Sequence, residues 1–388
     1  PPPALLHSVV GIRDRVSCLV GSEMCIRDSH WAGQWGASER IERMSRKTKE
    51  SDHNLPTLAD VATRAGVSTA TVSRCLNSPD QVQERTRDRV MTAVQELGYS
   101  PNFGARALAA RRTNTIGAII PTMENAIFAR AIQAFQEELH ASGVTLLVSS
   151  SSYRAEIEEE QIRTLVARGA DALLLIGHDR SPAIYQFLEN RGIPVLISWA
   201  YDPEVARLSI GFDNRRAMAG LATEVLRQGH RQIGIISADC VGNDRARARV
   251  DGVHDAMRAQ GLDPATAHLI ETHYSIENGA RAMRRLMDLT PRPTAVICGN
   301  DVLAVGAVQM ARELGLAVPG DVSITGFDDI ELARVVDPPL TTVHVPHRDM
   351  GRQAARLLVD MVAGHPASES VLLETNLCLR GTLAPPPV

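Results

Sequence analysis

The sequence lacks the features of a membrane protein, a disulfide-bonded protein or a metalloprotein. No apolar run approaches the roughly 20 residues of a transmembrane helix, and aromatic residues make up only 4% of the chain. The six cysteines have neither zinc-site nor disulfide-framework spacing. There is no P-loop, no G-x-G-x-x-G dinucleotide loop and no cluster of His and Cys. We therefore expect no cofactor, no metal, no membrane contact, no enzymatic activity and a cytoplasmic location.

Charge is distributed unevenly along the 388 residues, although the formal net charge is only −4. Residues 44–113 contain 11 Lys and Arg against 7 Asp and Glu, whereas residues 114–388 contain 25 against 33. A local excess of positive charge favours contact with phosphate. The first segment is therefore the candidate nucleic-acid-binding part of an otherwise acidic chain.

Residues 1–43 have no sustained hydrophobic period. Their stretch VSCLVGSEMCIRDS resembles translated adapter sequence, and Met44 followed by SRKTKES resembles a natural start. A secretory signal is the competing interpretation, but the apolar stretch near Cys18 is short and closely flanked by charges. We expect residues 1–43 to be a non-native or unstructured extension and residues 44–54 to be a flexible arm.

The segment TLADVATRAGVSTATVSRCL, which begins at Thr57, has the pattern of two short helices that share a small core. Gly66 can adopt the positive φ of a tight turn, and Ser68 can cap a second helix from about Thr69 to Leu76. A third amphipathic helix is predicted at Glu84 to Leu97. Such helices also occur in many helical proteins, so this pattern alone permits a purely structural interpretation.

From Thr115 onward, short apolar strands alternate with helices, which predicts parallel, doubly wound sheets. Ile-Gly followed by Ile-Ile opens two such runs, at Ile116 and at Ile233, and indicates two similar lobes. A late strand, TTVHV, and a helix from about Arg348 to Val362 predict that the chain returns to the first lobe. Such sheets bind ligands beyond the carboxyl ends of their strands.

Together these segments resemble the lactose-repressor/galactose-repressor family of bacterial transcription regulators. Four motifs carry the resemblance over about residues 55–382: TLADVATRAGVSTATVSRCLN, ELGYSPN, GLAVPGDVSITGFDD and the hinge pattern Asn102-x-x-Ala105-Arg106-x-Leu108. The resemblance implies a small all-α helix-turn-helix head and an α/β core of two doubly wound parallel-sheet lobes, similar to periplasmic sugar-binding proteins. The expected bounds are head 55–100, hinge helix or linker 101–113, core 114–388, first lobe about 114–210 and 342–364, and second lobe about 211–341 and 365–384.

The resemblance also implies which head residues contact DNA. Thr69, Ala70 and Arg74 fall where the family reads bases in the major groove. The resemblance implies phosphate contact or helix capping for a second group: Ser68, Thr71, Ser73 and Asn77. A purely structural role is the alternative for Ser68 and Thr71.

The hinge pattern carries a second set of expected DNA contacts. Ala105 and Leu108 match positions that enter the minor groove, where a leucine can partly unstack a base step and bend the duplex. Arg106 is expected to hold a backbone phosphate, and Asn102 belongs to the same set. The alternative for Leu108 is simple packing between hinge and core.

In the core, the resemblance indicates an effector site between the lobes. Its expected contacts are Asn125, Phe128, Trp199, Asp213, Arg249, Tyr274 and Asp301. Core packing is the alternative for the three aromatic residues, and a helix cap or turn is the alternative for Asp213, as it is for Asn214 and Asp328. Arg249 and Asp301 are expected to open helices that face the cleft.

The sequence therefore predicts a homodimeric repressor that binds a roughly palindromic double-stranded operator under the control of a small effector. Asn243 stands where the purine-binding branch has arginine, and SYRAEIEEEQ resembles branches that sense sugars or gluconate-type sugar acids, so a sugar or sugar acid is the expected effector. The absence of a leucine-heptad tail makes a dimer the expected assembly. A solute-binding protein or sugar sensor with no DNA role is the alternative.

Overall fold

The computed structural model describes residues 55–100, 112–124, 126–365 and 369–387. They divide after Ser100 into a helical head and an α/β core. This agrees with the predicted fold class. None of the described helices is long and apolar enough to cross a membrane.

The head contains three helices: α1 (Leu58–Ala65), α2 (Thr69–Asn77) and α3 (Glu84–Leu97). A capping box opens α1, because the Thr57 side chain accepts from the Asp60 amide and the Asp60 carboxylate accepts from the Thr57 amide. Gly66 ends α1 with a φ of 63°, which allows the tight turn into α2. A short 3-10 turn, Pro79–Gln81, leads to α3.

The core of the head is small and apolar. Val61, Val72 and Val90, one from each helix, are fully buried and pack together with Cys75 and Ala93. Arg64 of α1 also forms an ion pair with Glu96 of α3, with 2.6 Å between Nη2 and Oε2. Since both side chains are well exposed, the apolar contacts supply most of the stability.

The first lobe is a six-stranded, all-parallel sheet with helices on both faces. Its strands are ordered β11-β5-β4-β3-β1-β2. The strands are β1 (Thr115–Ile120), β2 (Thr145–Ser150), β3 (Ala172–Ile176), β4 (Val195–Ser198), β5 (Ser209–Gly211) and β11 (Val371–Leu372). Its helices are α4 (Ala126–Ala141), α5 (Ala155–Ala167), α6 (Pro182–Asn190) and α12 (His347–Ala363), of which α4 packs against α12.

The second lobe is built around a four-stranded parallel sheet in the order β7-β6-β8-β9. These strands are β6 (Ile233–Ser237), β7 (His268–Glu271), β8 (Ala295–Cys298) and β9 (Ser323–Thr325). Its helices are α7 (Asn214–Arg227), α8 (Asp244–Ala259), α9 (Ile276–Met287), α10 (Asp301–Glu313) and the short α11 (Leu332–Val335). Helix α7 packs on α8, and α9 on α10.

Two late strands lie in different lobes from those predicted. Strand β10 (Thr342–His344), expected in the first lobe, pairs with β12 (Asn376–Cys378), and residues 341 and 344 bridge to Thr325 and Asp328 of the second lobe. Strand β11, expected in the second lobe, pairs with β5 of the first. The chain therefore crosses between lobes after β5, after β10 and after β11, and each strand lies where it can continue an existing sheet.

Two helices were not predicted from the sequence, α7 and the short α11. Helix α7 opens the second lobe, and Asp213 caps it by accepting from the Arg216 amide. Its buried Leu221 and Val225 belong to an apolar cluster that is shared by both lobes. The apolar spacing and the Asp213 cap were visible in the sequence.

Candidate functional site

The second head helix presents the side chains that the sequence predicts for DNA contact. Ser68 accepts from the Thr71 amide at 3.2 Å and contacts the Thr71 hydroxyl at 2.9 Å, so both residues stabilise the start of α2. Asn77 donates to the Ser73 hydroxyl at 3.2 Å one turn apart. All four residues therefore have hydrogen-bond partners close by in sequence. For Ser68 and Thr71, this agrees with the alternative of a purely structural role.

The three expected base-reading residues form the exposed part of α2. Thr69, Ala70 and Arg74 are all exposed, while Val72 and Cys75 on the opposite side enter the core of the head. Within the described head, Arg74 makes no side-chain hydrogen bond or ion pair, so its guanidinium is available to an external acceptor. Guanidinium, hydroxyl and methyl groups on one helix face match the donors and apolar contacts used in major grooves.

Several predicted residues fall outside the described parts of the chain. These are the four hinge residues Asn102, Ala105, Arg106 and Leu108, together with Asn125 of the expected effector site. Their roles remain predictions.

In the core, aromatic residues meet at the carboxyl ends of the first-lobe strands. The ring centroids of Phe128, in the first turn of α4, and Trp199, after β4, are 5.2 Å apart. The Trp199 ring centroid lies 6.4 Å from that of His347, the first residue of α12. Trp199 has a φ of 61°, and its buried indole N–H has no hydrogen-bond partner among the residues that the structure describes. A buried indole N–H normally finds an acceptor, so this N–H is a candidate ligand donor.

Arg249 of α8 approaches the same region from the second lobe. Its Nε donates to the Asn214 side chain at 2.9 Å, its Nη1 donates to the Gly299 carbonyl at 2.6 Å, and its guanidinium lies 4.3 Å from the Phe327 ring centre. Asn214 also donates to the Trp199 carbonyl at 2.9 Å, which joins the two lobes. Arg249 is therefore buried and oriented, and its Nη2 makes no hydrogen bond to the described residues.

Asp328, which follows β9, is the most unusual polar residue of the region. Its side chain is fully buried, and neither carboxylate oxygen has a hydrogen-bond partner among the described residues. Burial raises its pKa to about 7, although the nearby Arg249 charge opposes the shift. Oδ1 lies 3.8 Å from Nε2 of His347. The sequence analysis left Asp328 between a cleft residue and a turn residue, and this burial favours the cleft.

Two tyrosines face each other from opposite lobes. The ring centroids of Tyr153, after β2, and Tyr274, after β7, are 5.7 Å apart. Burial raises the pKa of the Tyr274 phenol, and the Arg249 and Arg245 charges act in the opposite direction. Tyr153 is 37% exposed. Tyr274 was predicted, whereas Tyr153 was missed because nothing in the local sequence distinguishes it from a turn residue. We call the seven residues of this region the cleft cluster: Phe128, Tyr153, Trp199, Arg249, Tyr274, Asp328 and His347.

Two predicted effector residues have hydrogen-bond partners within the fold. The Asp301 carboxylate is fully buried and already accepts from the Thr342 hydroxyl at 2.6 Å and from the Ile330 amide at 2.8 Å. Burial, and then the Asp328 charge, raise its pKa. Asp213 caps α7 and borders a surface hollow of about 230 Å³ that shares no lining residue with the cleft cluster. Both carboxylates are used to hold the fold.

The rim of the cleft carries direct contacts between the lobes. Asp179 of the first lobe accepts two hydrogen bonds from Arg247 of α8, at 2.9 and 3.0 Å. The His178 amide donates to Asp244 at 2.6 Å. Arg180, which is almost fully buried, fixes this loop through Glu158 and the Ile176 carbonyl. Among the described residues, no group of three His, Cys, Asp or Glu side chains is placed to hold a metal ion.

Comparison with known proteins gives the same two-part division. Residues 57–102 match the model of bacterial regulatory proteins of the lacI family, and residues 222–383 match a periplasmic binding protein-like domain. The HTH-type transcriptional repressor CytR of Escherichia coli (strain K12) is 34% identical over 328 residues, which are 84% of this chain and 96% of that protein.

Two solved structures are also similar. The Lac repressor dimer bound to operator and the anti-inducer ONPF has a TM-score of 0.75 and 27% identity, over 85% of this chain and 99% of that one. The transcriptional regulator CelR in complex with cellobiose has a TM-score of 0.61 and 30% identity, over 84% and 99%. On this evidence the chain belongs to the lacI family of bacterial regulatory proteins.

Proposed function

We propose that this protein is a transcriptional repressor whose affinity for a roughly palindromic DNA operator is set by a small effector in the interlobe cleft. The observation that carries the proposal is the presence in one chain of an exposed reading helix and of a cleft with buried, unpartnered polar atoms. Support comes from the relatives, since CytR is a repressor and the Lac repressor structure contains operator and an anti-inducer. Because a repressor must reach DNA, we place the protein in the cytoplasm, and we assign it no enzymatic activity.

In the DNA-bound state, α2 of the head lies in the major groove. Arg74 donates to a guanine edge, Thr69 and Ala70 contact neighbouring bases, and Asn77 contacts phosphate. By the family resemblance, Ala105 and Leu108 of two hinge helices enter the minor groove between two heads. Two-fold symmetry of a homodimer then explains an operator made of two inverted half-sites.

The effector acts by changing the relative populations of two core arrangements. The cleft cluster takes residues from both lobes, so a ligand held there binds one arrangement of the lobes better than another. The shift in DNA affinity cannot exceed this difference in ligand affinity. A sugar or sugar acid is the effector class that we propose, since aromatic faces pack on C–H groups while Arg249 and Asp328 bind hydroxyls.

The DNA mode is tested by selecting duplexes from a randomised pool with the full chain, then measuring binding of the selected site by fluorescence anisotropy. We expect Arg74→Ala to weaken binding to that duplex by about 1–3 kcal/mol and to relax the sequence preference at one base position. Arg64→Ala is the matched control, because it removes the same charge from an arginine that is paired with Glu96. Equal behaviour of the two variants would contradict the proposed reading helix.

The effector mode is tested with the same duplex. Sugars and sugar acids are added singly, and operator affinity and thermal stability are measured together, since a ligand that binds the folded chain raises its apparent stability. A compound that changes both confirms an effector. If every compound leaves both unchanged, the proposed effector class is wrong.

A further inference from the structure

We infer that Asp171 is a positioning residue that couples the arrangement of the two lobes to the chain segment connecting the core with the head. Its carboxylate holds the chain where that segment enters the core, at Thr113 and Thr115. The inference rests on the proposed function, because it concerns how the core controls the affinity for DNA. It assigns this control to one strand, β3, and to the carboxylate at the amino end of that strand.

The carboxylate of Asp171 binds the incoming chain with both oxygen atoms. Oδ1 and Oδ2 accept from the Thr113 amide at 3.1 Å, and Oδ2 also accepts from the Thr115 amide at 3.2 Å. The Thr113 hydroxyl donates to the Gly169 carbonyl at 2.6 Å. Gly169 has a φ of 88°, and a Cβ atom there would lie only 2.8 Å from Cγ2 of Thr113. The loop before β3 therefore encloses the threonine, and we call these four residues the entry clamp: Thr113, Thr115, Gly169 and Asp171.

The other end of β3 contacts the second lobe. All residues of β3 are buried, and the strand is paired with β1 on one side and β4 on the other. Gly177 follows β3 directly and packs so closely on α8 that a Cβ atom there would collide with the Asp244 carboxylate. Two residues later, Asp179 forms the ion pair with Arg247 of α8. The carboxyl end of β3 thus leads straight into the contacts at the rim of the cleft.

Strand β3 is therefore attached at both ends. From Asp171 to Gly177 the chain spans roughly 20 Å, at about 3.3 Å per residue. A movement of the second lobe acts on the carboxyl end of β3 through the rim contacts, and a strand buried within a sheet moves as a unit. The entry clamp joins the amino end of the same strand to the incoming chain. Without the carboxylate, Thr113 loses its amide link to this end of β3.

A purely structural role of Asp171 is the competing explanation. A carboxylate that accepts from two backbone amides stabilises the fold whether or not it affects DNA binding. The two explanations differ in how mutations combine. Sites more than about 10 Å apart usually have additive effects, so a purely structural clamp predicts that mutations at the rim and at the clamp act independently. Coupling through β3 predicts that a rim mutation loses its effect on DNA affinity once the clamp is removed.

The test is a double-mutant cycle on operator affinity, which needs no identified effector. Fluorescence anisotropy with the selected duplex compares the full-length wild type with Asp179→Arg at the rim, Asp171→Ala at the clamp, and the two together. Asp179→Arg replaces the attraction to Arg247 by repulsion and so shifts the lobes from their present arrangement. Adding Arg247→Asp restores an attraction of opposite sign and should reverse the shift.

Three further variants serve as backgrounds for Asp179→Arg. Thr113→Val is a second disruption of the clamp, because it removes the hydroxyl and keeps the shape of the side chain. Asp171→Asn is the conservative variant, since its amide oxygen can still accept from the incoming chain. Asp321→Ala is the matched control, because the Asp321 carboxylate also accepts from a backbone amide, that of Ala317 at 2.7 Å, but in the second lobe. Melting curves verify that each variant folds, and Thr113→Val decides if Asp171→Ala does not.

We expect Asp179→Arg to change the operator affinity of the otherwise unaltered chain by about threefold. With Asp171→Ala or Thr113→Val present, the same mutation should change it by less than about 1.5-fold. With Asp171→Asn or Asp321→Ala present, most of the change should remain. A purely structural clamp would leave the full change in every background.

Two results would overturn the inference and leave the proposed function intact. The first is a full effect of Asp179→Arg in the clamp variants that fold. The second is an operator affinity that Asp179→Arg leaves unchanged in the wild type, because the rim would then have no influence for β3 to transmit. If the full chain selects no duplex from the pool, the proposed function fails, and this inference fails with it.

Discussion

The head and the cleft differ in whether their polar side chains have hydrogen-bond partners. In the described head, polar groups are either exposed, as Thr69 and Arg74 are, or bonded locally, as Thr57 is to Asp60. Among the described residues of the cleft, Trp199 and Asp328 carry polar atoms that are buried and have no hydrogen-bond partner. Water satisfies the polar groups of the exposed helix when DNA is absent, whereas the buried groups of the cleft have no partner among the described residues. Under the proposed function, the cleft therefore gives up stability for binding, and the head does not.

The strongest test of this difference is Asp328→Asn in the ligand-free chain. The folded-state pKa of Asp328, about 7, lies above the ordinary value of 3.8. The contribution of Asp328 to the free energy of unfolding is therefore fully retained below about pH 4 and is lost as the pH rises through about 7. Asparagine has no charge to bury, so the variant should exceed the wild type by about 4 kcal/mol at pH 8 and by about 2 kcal/mol at pH 5.

Urea unfolding of the core at both pH values measures this gain. Asp360→Asn, on the exposed side of α12, is the matched control, because it makes the same substitution at a position open to water. The Asp328→Asn variant should also lose ligand affinity, which is the usual trade between stability and function. An equal or lower stability than the wild type at pH 8 would mean that the carboxylate is satisfied and that the cleft is not under strain.

The head was the more predictable region because its signals are local in sequence. The Gly66 turn, the Ser68 cap and the Glu84 start of α3 depend on residues within four positions of each other, and all three agree with the structure. The cleft depends on pairs such as Asp301 with Thr342, which are 41 residues apart. Asp301 has the chemistry of a ligand contact, and only its long-range partners reveal its internal role.

The same reasoning explains which cleft residues were missed. His347 lies where the chain crosses between the lobes. Its neighbours Trp199 and Asp328 follow other strands, so no residue spacing in the sequence predicts that His347 lies in the cleft. The lobe assignment of β10 and β11 failed for a related reason. A strand of two or three residues carries too few side chains for its pattern to specify which sheet edge it joins.

A smaller effect is expected from removing the capping box of the head. Thr57→Ala deletes the side chain that accepts from the Asp60 amide, and we expect it to cost about 1 kcal/mol. Hydrogen exchange of amides in α1 of the full chain measures the loss, and the core amides should not change. Thr63→Ala is the control, since Thr63 lies on the exposed side of the same helix and bonds only to the Ala59 carbonyl. Equal protection in both variants would show that the cap does not stabilise the head.

The smallest effect is expected at the rim of the cleft, where the ion pair between Arg247 and Asp179 is partly exposed to water. Arg247 pairs with Asp179 across the lobes, but 46% and 30% of these side chains are exposed, and exposed pairs contribute only about 0.2–1 kcal/mol. Arg247→Ala should therefore speed dissociation of a bound effector by about two- to fivefold, with less effect at high salt.

Stopped-flow dissociation measures this rate, and Arg258→Ala is the control, because Arg258 pairs with Asp255 within α8 and spans no cleft. Reversing both charges, with Asp179→Arg and Arg247→Asp together, should restore part of the slow rate. If Arg258→Ala speeds release as much as Arg247→Ala, the effect comes from net charge and not from a contact between the lobes. An effect specific to Arg247 would show that opening the cleft requires breaking its pair with Asp179. We expect the affinity for the effector to come from the buried, unpaired groups behind this pair.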